Sequence, residues 1–129
     1  MYIKQLITCI LLVCSSAIMG QGTAKPGCSI LKKGTFKYIG TDDSTAYVVI
    51  NNKKHTEYHN NKKYYIKSDV TWLSDCEYKM TMTAVTIPGF PYHPGDTMIV
   101  KVNRIENDIV YYTATVKDHS WDGIFKRIH

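Results

Sequence analysis

His55, Glu57 and His59 alternate along the stretch HTEYH. Imidazole and carboxylate are the side chains that most often bind metal or move protons. On an extended chain a spacing of two puts all three on one face, successive members about 7 Å apart. Neighbouring pairs fit one metal ion, whereas the outer two stand about 13 Å apart and do not share one. The helical H-E-x-x-H arrangement is a different geometry, since a helix brings its ligands together. Because such residues mostly face water, the expected reading is a polar, solvent-facing strand with no metal site.

Other candidate chemistry is thinner. Asp118-His119-Ser120 has triad residue types, but neighbours on a strand point to opposite faces, so a turn before the last strand is expected. No G-x-S-x-G elbow and no phosphate-cradling glycine loop occurs. Asp69 and Glu77 both fall on an outer face by alternation, without the burial that shifts a carboxyl pKa. The chain is therefore expected not to be an enzyme, with no catalytic residue, metal or cofactor.

The flanks of HTEYH repeat the letters NNKK, at 51–54 and 60–63. Asn tolerates left-handed backbone, so the two units read as hairpin turns around one short strand. A strand of five residues is about 17 Å long, which places the turns at opposite ends and forbids a single basic patch. Whether Lys62 and Lys63 border an opening is the question this leaves.

Elements rich in Val, Ile, Thr, Tyr and Phe surround this strand, with turn signals every 8–12 residues, and these mark an all-β chain. Eight strands are expected, at 35–39, 45–50, 55–59, 64–73, 76–87, 97–105, 109–117 and 121–128, with a tight Asn107-Asp108 turn. Cys76, Tyr78, Met80, Met82 and Ala84 share one face of the fifth; Ile66, Ser68, Val70 and Trp72 share one face of the fourth. In the sixth, Arg104 interrupts the set Met98, Val100 and Val102. One apolar face and one wet face describe an antiparallel up-and-down meander, which closes most simply into a barrel or flattened barrel. Phe36, Tyr38, Val70, Trp72, Tyr78, Met80, Met82, Val100 and Tyr112 are expected to line its interior. They are the candidate ligand-binding residues, since barrels of this size either fill with side chains or hold one small ligand.

The opening residues carry Lys4 and the apolar run Ile7 to Val13, then Ser15, Ser16, Ala17 and Gly20. This is signal-peptide patterning, too short to span a bilayer. Residues 1–20 are assigned to the signal, cleaved after Ala17 or Gly20, and 21–129 to a single barrel domain. A retained anchor and acylation at Cys14 are the alternatives, the latter disfavoured by Val13 before the cysteine. The mature charge is about +4, from interspersed charges. That pattern and the lack of any nucleic-acid motif argue against nucleic acid as a partner.

With the signal gone, Cys28 and Cys76 remain, and an oxidising compartment favours their pairing. The bridge would close a loop of about 49 residues, worth roughly 4 kcal/mol. Strand parity puts both cysteines at the bottom of the barrel. The same parity puts the Pro-rich loop 88–96, with Phe90 and Tyr92, at the top, where it would cap a cavity or meet a partner.

C-S-I-L-K-K-G-T-F-K-Y at 28–38 and V-T-W-L-S-D-C-E-Y-K-M at 70–80 resemble a family of small exported bacterial proteins that pairs a Cys before G-x-F with a W-x-x-D-C-E-Y hairpin. Glu57 falls where that family tends to carry a Glu. The resemblance covers most of the chain from Cys28 onward and implies a lipocalin-like strand order without an implied activity. Some members carry a DNA topoisomerase name, which these residues do not support: they hold no nucleophilic-tyrosine context and no ATPase motif. Gly34-Thr35-Phe36 is also similar to the Gly-x-Trp opening of lipocalins, with Phe for Trp, and Arg127 then corresponds to the basic residue that packs on the first-strand aromatic.

The expected function is an exported, periplasmic or secreted, monomeric lipocalin-like module binding a small apolar ligand. The alternative is a filled-core structural or interaction module with a protein partner in the cell envelope.

Overall fold

The computed structural model describes residues 27–129; the signal assignment, with Cys14 and both cleavage positions, lies outside the described residues. A short 3-10 turn, Cys28–Lys32, leads into β1 (Lys33–Tyr38), β2 (Tyr47–Asn51), β3 (Lys54–His59), β4 (Tyr64–Ser74), β5 (Glu77–Val85), β6 (Thr97–Glu106), β7 (Ile109–Val116) and β8 (His119–Arg127). Each strand pairs antiparallel with the next, and β8 returns to β1, closing the barrel. The all-β, eight-stranded up-and-down meander expected from the alternation is thus the observed fold.

The turns show why the chain reverses where it does. Asn52, Asn60, Asn61 and Lys62 all take positive φ, as do Asn107 and Asp108. Both NNKK units therefore lie at reversals, and Asn-Asp forms the β6–β7 hairpin. Lys62 and Lys63 do not border an opening. Lys62 Nζ stands 5.9 and 5.7 Å from the ring centres of Tyr47 and Tyr58, which stack on the outer wall, and Lys63 lies over Tyr64.

The seam between β1 and β8 is short, pairing Phe36 with Arg127, Lys37 with Lys126 and Tyr38 with Phe125. Backbone bonds extend it: Thr35 N–H donates to the His129 carbonyl at 2.9 Å and Ile128 N–H to the Thr35 carbonyl at 2.8 Å. Gly34 makes this approach possible, since a Cβ there would stand 2.8 Å from the His129 carbonyl oxygen. Arg127 Nε and the Phe36 ring flank the same point, at 3.1 and 3.4 Å. The glycine of G-T-F thus serves barrel closure, with Arg127 beside the first-strand aromatic.

Two of the three register shifts in the barrel, the third lying between Trp72 and Ser74, correct the expected alternation. Between Val102 and Arg104 the register slips by one residue, so Arg104 pairs with Tyr111 and its guanidinium lies 4.1 Å from that ring's centre. The apparent interruption of the apolar face is the bulge itself. A second slip lies between Ser68–Met82 and Lys67–Ala84. It moves Ala84 off the face of Met80 and Met82, where simple alternation placed it, and brings Val85 opposite Ile66.

Lys54, Lys67, Asp69, Lys79 and Lys101 all point outward, and Lys54 pairs with Asp69. A charged outer wall suits water, not lipid. At the bottom the interior is solid: Leu31 of the 3-10 turn is fully buried and packs with Phe36, Val48, Ile50, Val102, Val110 and Phe125. The Cys28–Cys76 disulfide ties this turn to the β4–β5 connection. Both cysteines lie at one end, as strand parity requires, with Cys76 in the turn before β5 and not within the strand.

Candidate functional site

Above that floor the barrel is open. A cavity of about 390 Å³ occupies its upper half, toward the lower end of the range for small-molecule sites. Its apolar wall comes from Ile66, Met80, Met98, Val100, Ala114 and Phe125, and its mouth from Ile39, Phe90, Tyr92 and Trp121. The mouth residues sit on the β1–β2 loop, the 86–96 loop and the start of β8. These connections lie opposite the disulfide, and Phe90 and Tyr92 pack edge to face there at 5.7 Å.

Five of the nine interior candidates line this cavity: Tyr38, Tyr78, Met80, Val100 and Tyr112. Phe36, Val70, Trp72 and Met82 do not. Phe36 belongs to the floor. Val70 and Met82 are buried in the packed wall. Trp72 stands toward the disulfide end, tilted onto Tyr78 at 4.9 Å beneath the Lys32 ammonium. The tryptophan at the cavity is Trp121.

The solvent-facing reading of β3 is overturned. His55, Glu57 and His59 do share one face, but that face is the interior, and all three line the cavity. The register explains it: Ile50 pairs with His55, Val48 with Glu57, and Glu57 with Ile66, and each of those partners is a buried apolar residue. Tyr58 and Thr56 take the outer face instead. Polarity was the wrong guide, because β3 brings polar groups inward where its neighbours bring apolar ones.

These groups form one connected set. Tyr38 Oη donates a hydrogen bond to Glu57 Oε1 at 2.5 Å. His59 Nε2 lies 3.4 Å from the same oxygen, close enough for charge attraction but not aligned as a hydrogen bond. His59 Nδ1 is 3.9 Å from Asp43 Oδ2. Asp43 is itself fixed by structure, accepting from Thr45 N–H at 2.9 Å and from Asn60 N–H at 2.8 Å; it ties the β1–β2 loop to the β3–β4 turn. His55 is 4% exposed, and its Nδ1 has no hydrogen-bond partner among the described residues.

Electrostatics follow from burial and neighbours. Burial raises the Glu57 pKa, but His59, His55 and the Tyr38 hydroxyl together outweigh it and hold the carboxyl below its ordinary value. His59 is pushed up by Glu57 against the opposing effect of its burial. His55 is pushed down by burial, partly offset by Glu57. Burial also drives the phenols of Tyr38, Tyr78 and Tyr112 far up, with Glu57 adding to each. At neutral pH the set is therefore an ionised carboxylate among neutral phenols, with a neutral His55 and a His59 biased toward its charged form.

No three-residue metal-ligand group occurs among the described residues. Asp118-His119-Ser120 does not assemble into a triad: β8 begins at His119, and Ser120 Oγ is hydrogen-bonded to Thr115 Oγ1 at 2.7 Å. Asp69 lies on the outer wall with Lys54.

The fold and cavity define a class, the closed eight-stranded antiparallel barrel with one packed end and one open end, consistent with a lipocalin-like fold. No protein-family model, curated protein or solved structure matches this chain.

Proposed function

We propose that this protein is an exported, non-enzymatic lipocalin-like carrier or sensor that holds one small, largely apolar molecule in the upper half of the barrel. The observation that carries the reading is the asymmetry of the interior. The lower half is packed to exclusion around Leu31 and Phe36, while the upper half keeps an open volume lined by Met80, Met98, Val100 and Phe125. Collapse would bring these apolar walls together, so a preserved cavity with a mouth suits an occupant. Met80 and Met98 provide an adaptable surface for it. The Cys28–Cys76 disulfide supports an oxidising, exported location, in agreement with the signal-like opening residues.

Native mass spectrometry of protein purified from its source tests the reading. The expected result is a co-purified mass lost on denaturation. An empty protein that also fails to bind the neutral apolar probe N-phenyl-1-naphthylamine would remove the binder reading and leave the envelope-interaction alternative.

A further inference from the structure

The cavity has an electrostatic character opposite to that of the whole chain. The protein carries a formal net charge of +5, yet among the described residues no lysine or arginine lines the cavity, and the charged residues that do, apart from histidines, are Asp43, Glu57 and Asp122. Asp43 is occupied by backbone donors and Asp122 by the Thr113 hydroxyl. Glu57 is different. Both of its neighbours, Tyr38 and His59, approach the single oxygen Oε1, and among the described residues no hydrogen bond ends on Oε2. Its side chain remains 17% exposed, within the cavity.

The second observation is His55. Its buried Nδ1 lacks a partner on the same strand face, two residues from Glu57. A buried polar atom without a partner costs about 1–3 kcal/mol, and His55, kept neutral by burial, retains one unprotonated ring nitrogen with which to accept. Around these two acceptors stand the rings of Tyr38, Tyr78, Tyr112 and Phe125, and aromatic faces attract organic cations.

We infer that the occupant is an organic amine, bound as its ammonium ion, with the charged head on Glu57 beside His55 and an aromatic or aliphatic body in the Met80–Met98–Val100 half of the cavity. This deepens the binder reading and rests on it. Even with His59 protonated, Asp43 and Glu57 leave the cluster one negative charge in excess. A carboxylate-headed ligand such as a fatty acid would set like charge against Glu57, and a neutral apolar one would leave both acceptors unanswered.

The test is competition for bound N-phenyl-1-naphthylamine by three matched probes at pH 8, using the disulfide-bonded protein: 2-phenylethylamine, 2-phenylethanol and 3-phenylpropanoate. The amine is expected to displace at a concentration at least tenfold below the alcohol, with the carboxylate weakest. Glu57→Gln should bring amine and alcohol within about threefold of each other while naphthylamine binding persists. Naphthylamine binding without amine preference overturns the inference and leaves the binder reading standing. Failure of every probe, the naphthylamine included, overturns both. The wild-type ranking decides the matter by itself if the variant does not fold.

Discussion

Tyr38 on β1 donates its phenolic proton to Glu57 on β3, across 19 residues of sequence and over the intervening strand β2. The bond links two walls of the cavity below its mouth and consumes one oxygen of the only carboxylate aimed inward from β3. Burial, reinforced by Glu57, raises the Tyr38 pKa far above its ordinary value, so the phenol keeps its proton and remains a donor. A hydrogen bond to a charged acceptor contributes about 1.5–3 kcal/mol. Tyr38→Phe is expected to lose about that much in urea unfolding and to raise the Glu57 carboxyl pKa, as read by carbon-detected NMR titration. Unchanged stability together with an unmoved Glu57 titration would contradict this account of the pair.

Gly123 gives a direct handle on cavity volume. It pairs with Tyr112, and a Cβ at Gly123 would fall 2.2 Å from Tyr112 Cζ. The Tyr112 ring thus lies over the glycine, with the tilted Phe125 ring centred 5.0 Å away. Gly123→Ala must push the ring, and the open direction is the cavity. The expected result is a modest stability loss, about 1 kcal/mol, because the ring has somewhere to go. Naphthylamine affinity should drop at least fivefold as the volume shrinks. A large loss of stability with unchanged affinity would show that the ring moves elsewhere.

These residues mark the line between what the sequence shows and what it hides. Strand count, direction and turns follow from alternation, Asn-rich reversals and parity, all of which are local or nearly so, and the disulfide follows from the two cysteines left outside the signal-like residues, with parity in agreement. Glu57 shows where that reasoning stops. Period two groups His55, Glu57 and His59 correctly but does not say which face is inside, and polarity chose wrongly. The deciding fact is non-local: the strands on either side present Val48, Ile50 and Ile66 at the paired positions. The same limit separates Trp72 from Trp121. The alternation of the fourth strand places Trp72 inside, but height along the barrel depends on register and stagger.

Trp121 and not Trp72 is the expected optical reporter. Trp121 is 36% exposed at the cavity mouth, whereas Trp72 reaches the Asn52 carbonyl near the disulfide end. Ligand-induced fluorescence change should survive Trp72→Phe and vanish in Trp121→Phe. The reverse outcome would place the ligand at the wrong end of the barrel.

The disulfide should matter for stability and not for the site. It closes a separation of 48 residues, for which the chain-entropy argument gives about 4 kcal/mol. Replacing both cysteines by serine is expected to lower unfolding stability by about that amount. Well below the lowered melting temperature, naphthylamine affinity should stay within about twofold, because the packed floor of Leu31, Phe36 and Val110 separates the bridge from the cavity. A large affinity loss in the folded variant would mean that the floor does not insulate the site.

His55 and His59 should shape stability against pH in opposite senses. Burial lowers the folded-state pKa of His55 below its ordinary 6.5. Its contribution is therefore whole above about pH 6.5 and lost as pH falls toward the folded value, since unfolding then takes up a proton. Glu57 raises His59 above the same ordinary value. That contribution is whole below about pH 6.5 and lost as pH rises through the folded value. Glu57, with its lowered pKa, holds its contribution above its ordinary value of 4.5 and loses it below. Between pH 6.5 and 5 the fall in stability is then owed to His55 among these three, with a limiting slope of about 1.4 kcal/mol per pH unit. His55→Leu removes the buried proton acceptor and its unpartnered nitrogen together. Urea midpoints of this variant are expected to lie above wild type at pH 5.5 and to change less between pH 6.5 and 5. An acid slope as steep as wild type would assign the proton uptake to another group and end the case for a buried, neutral His55.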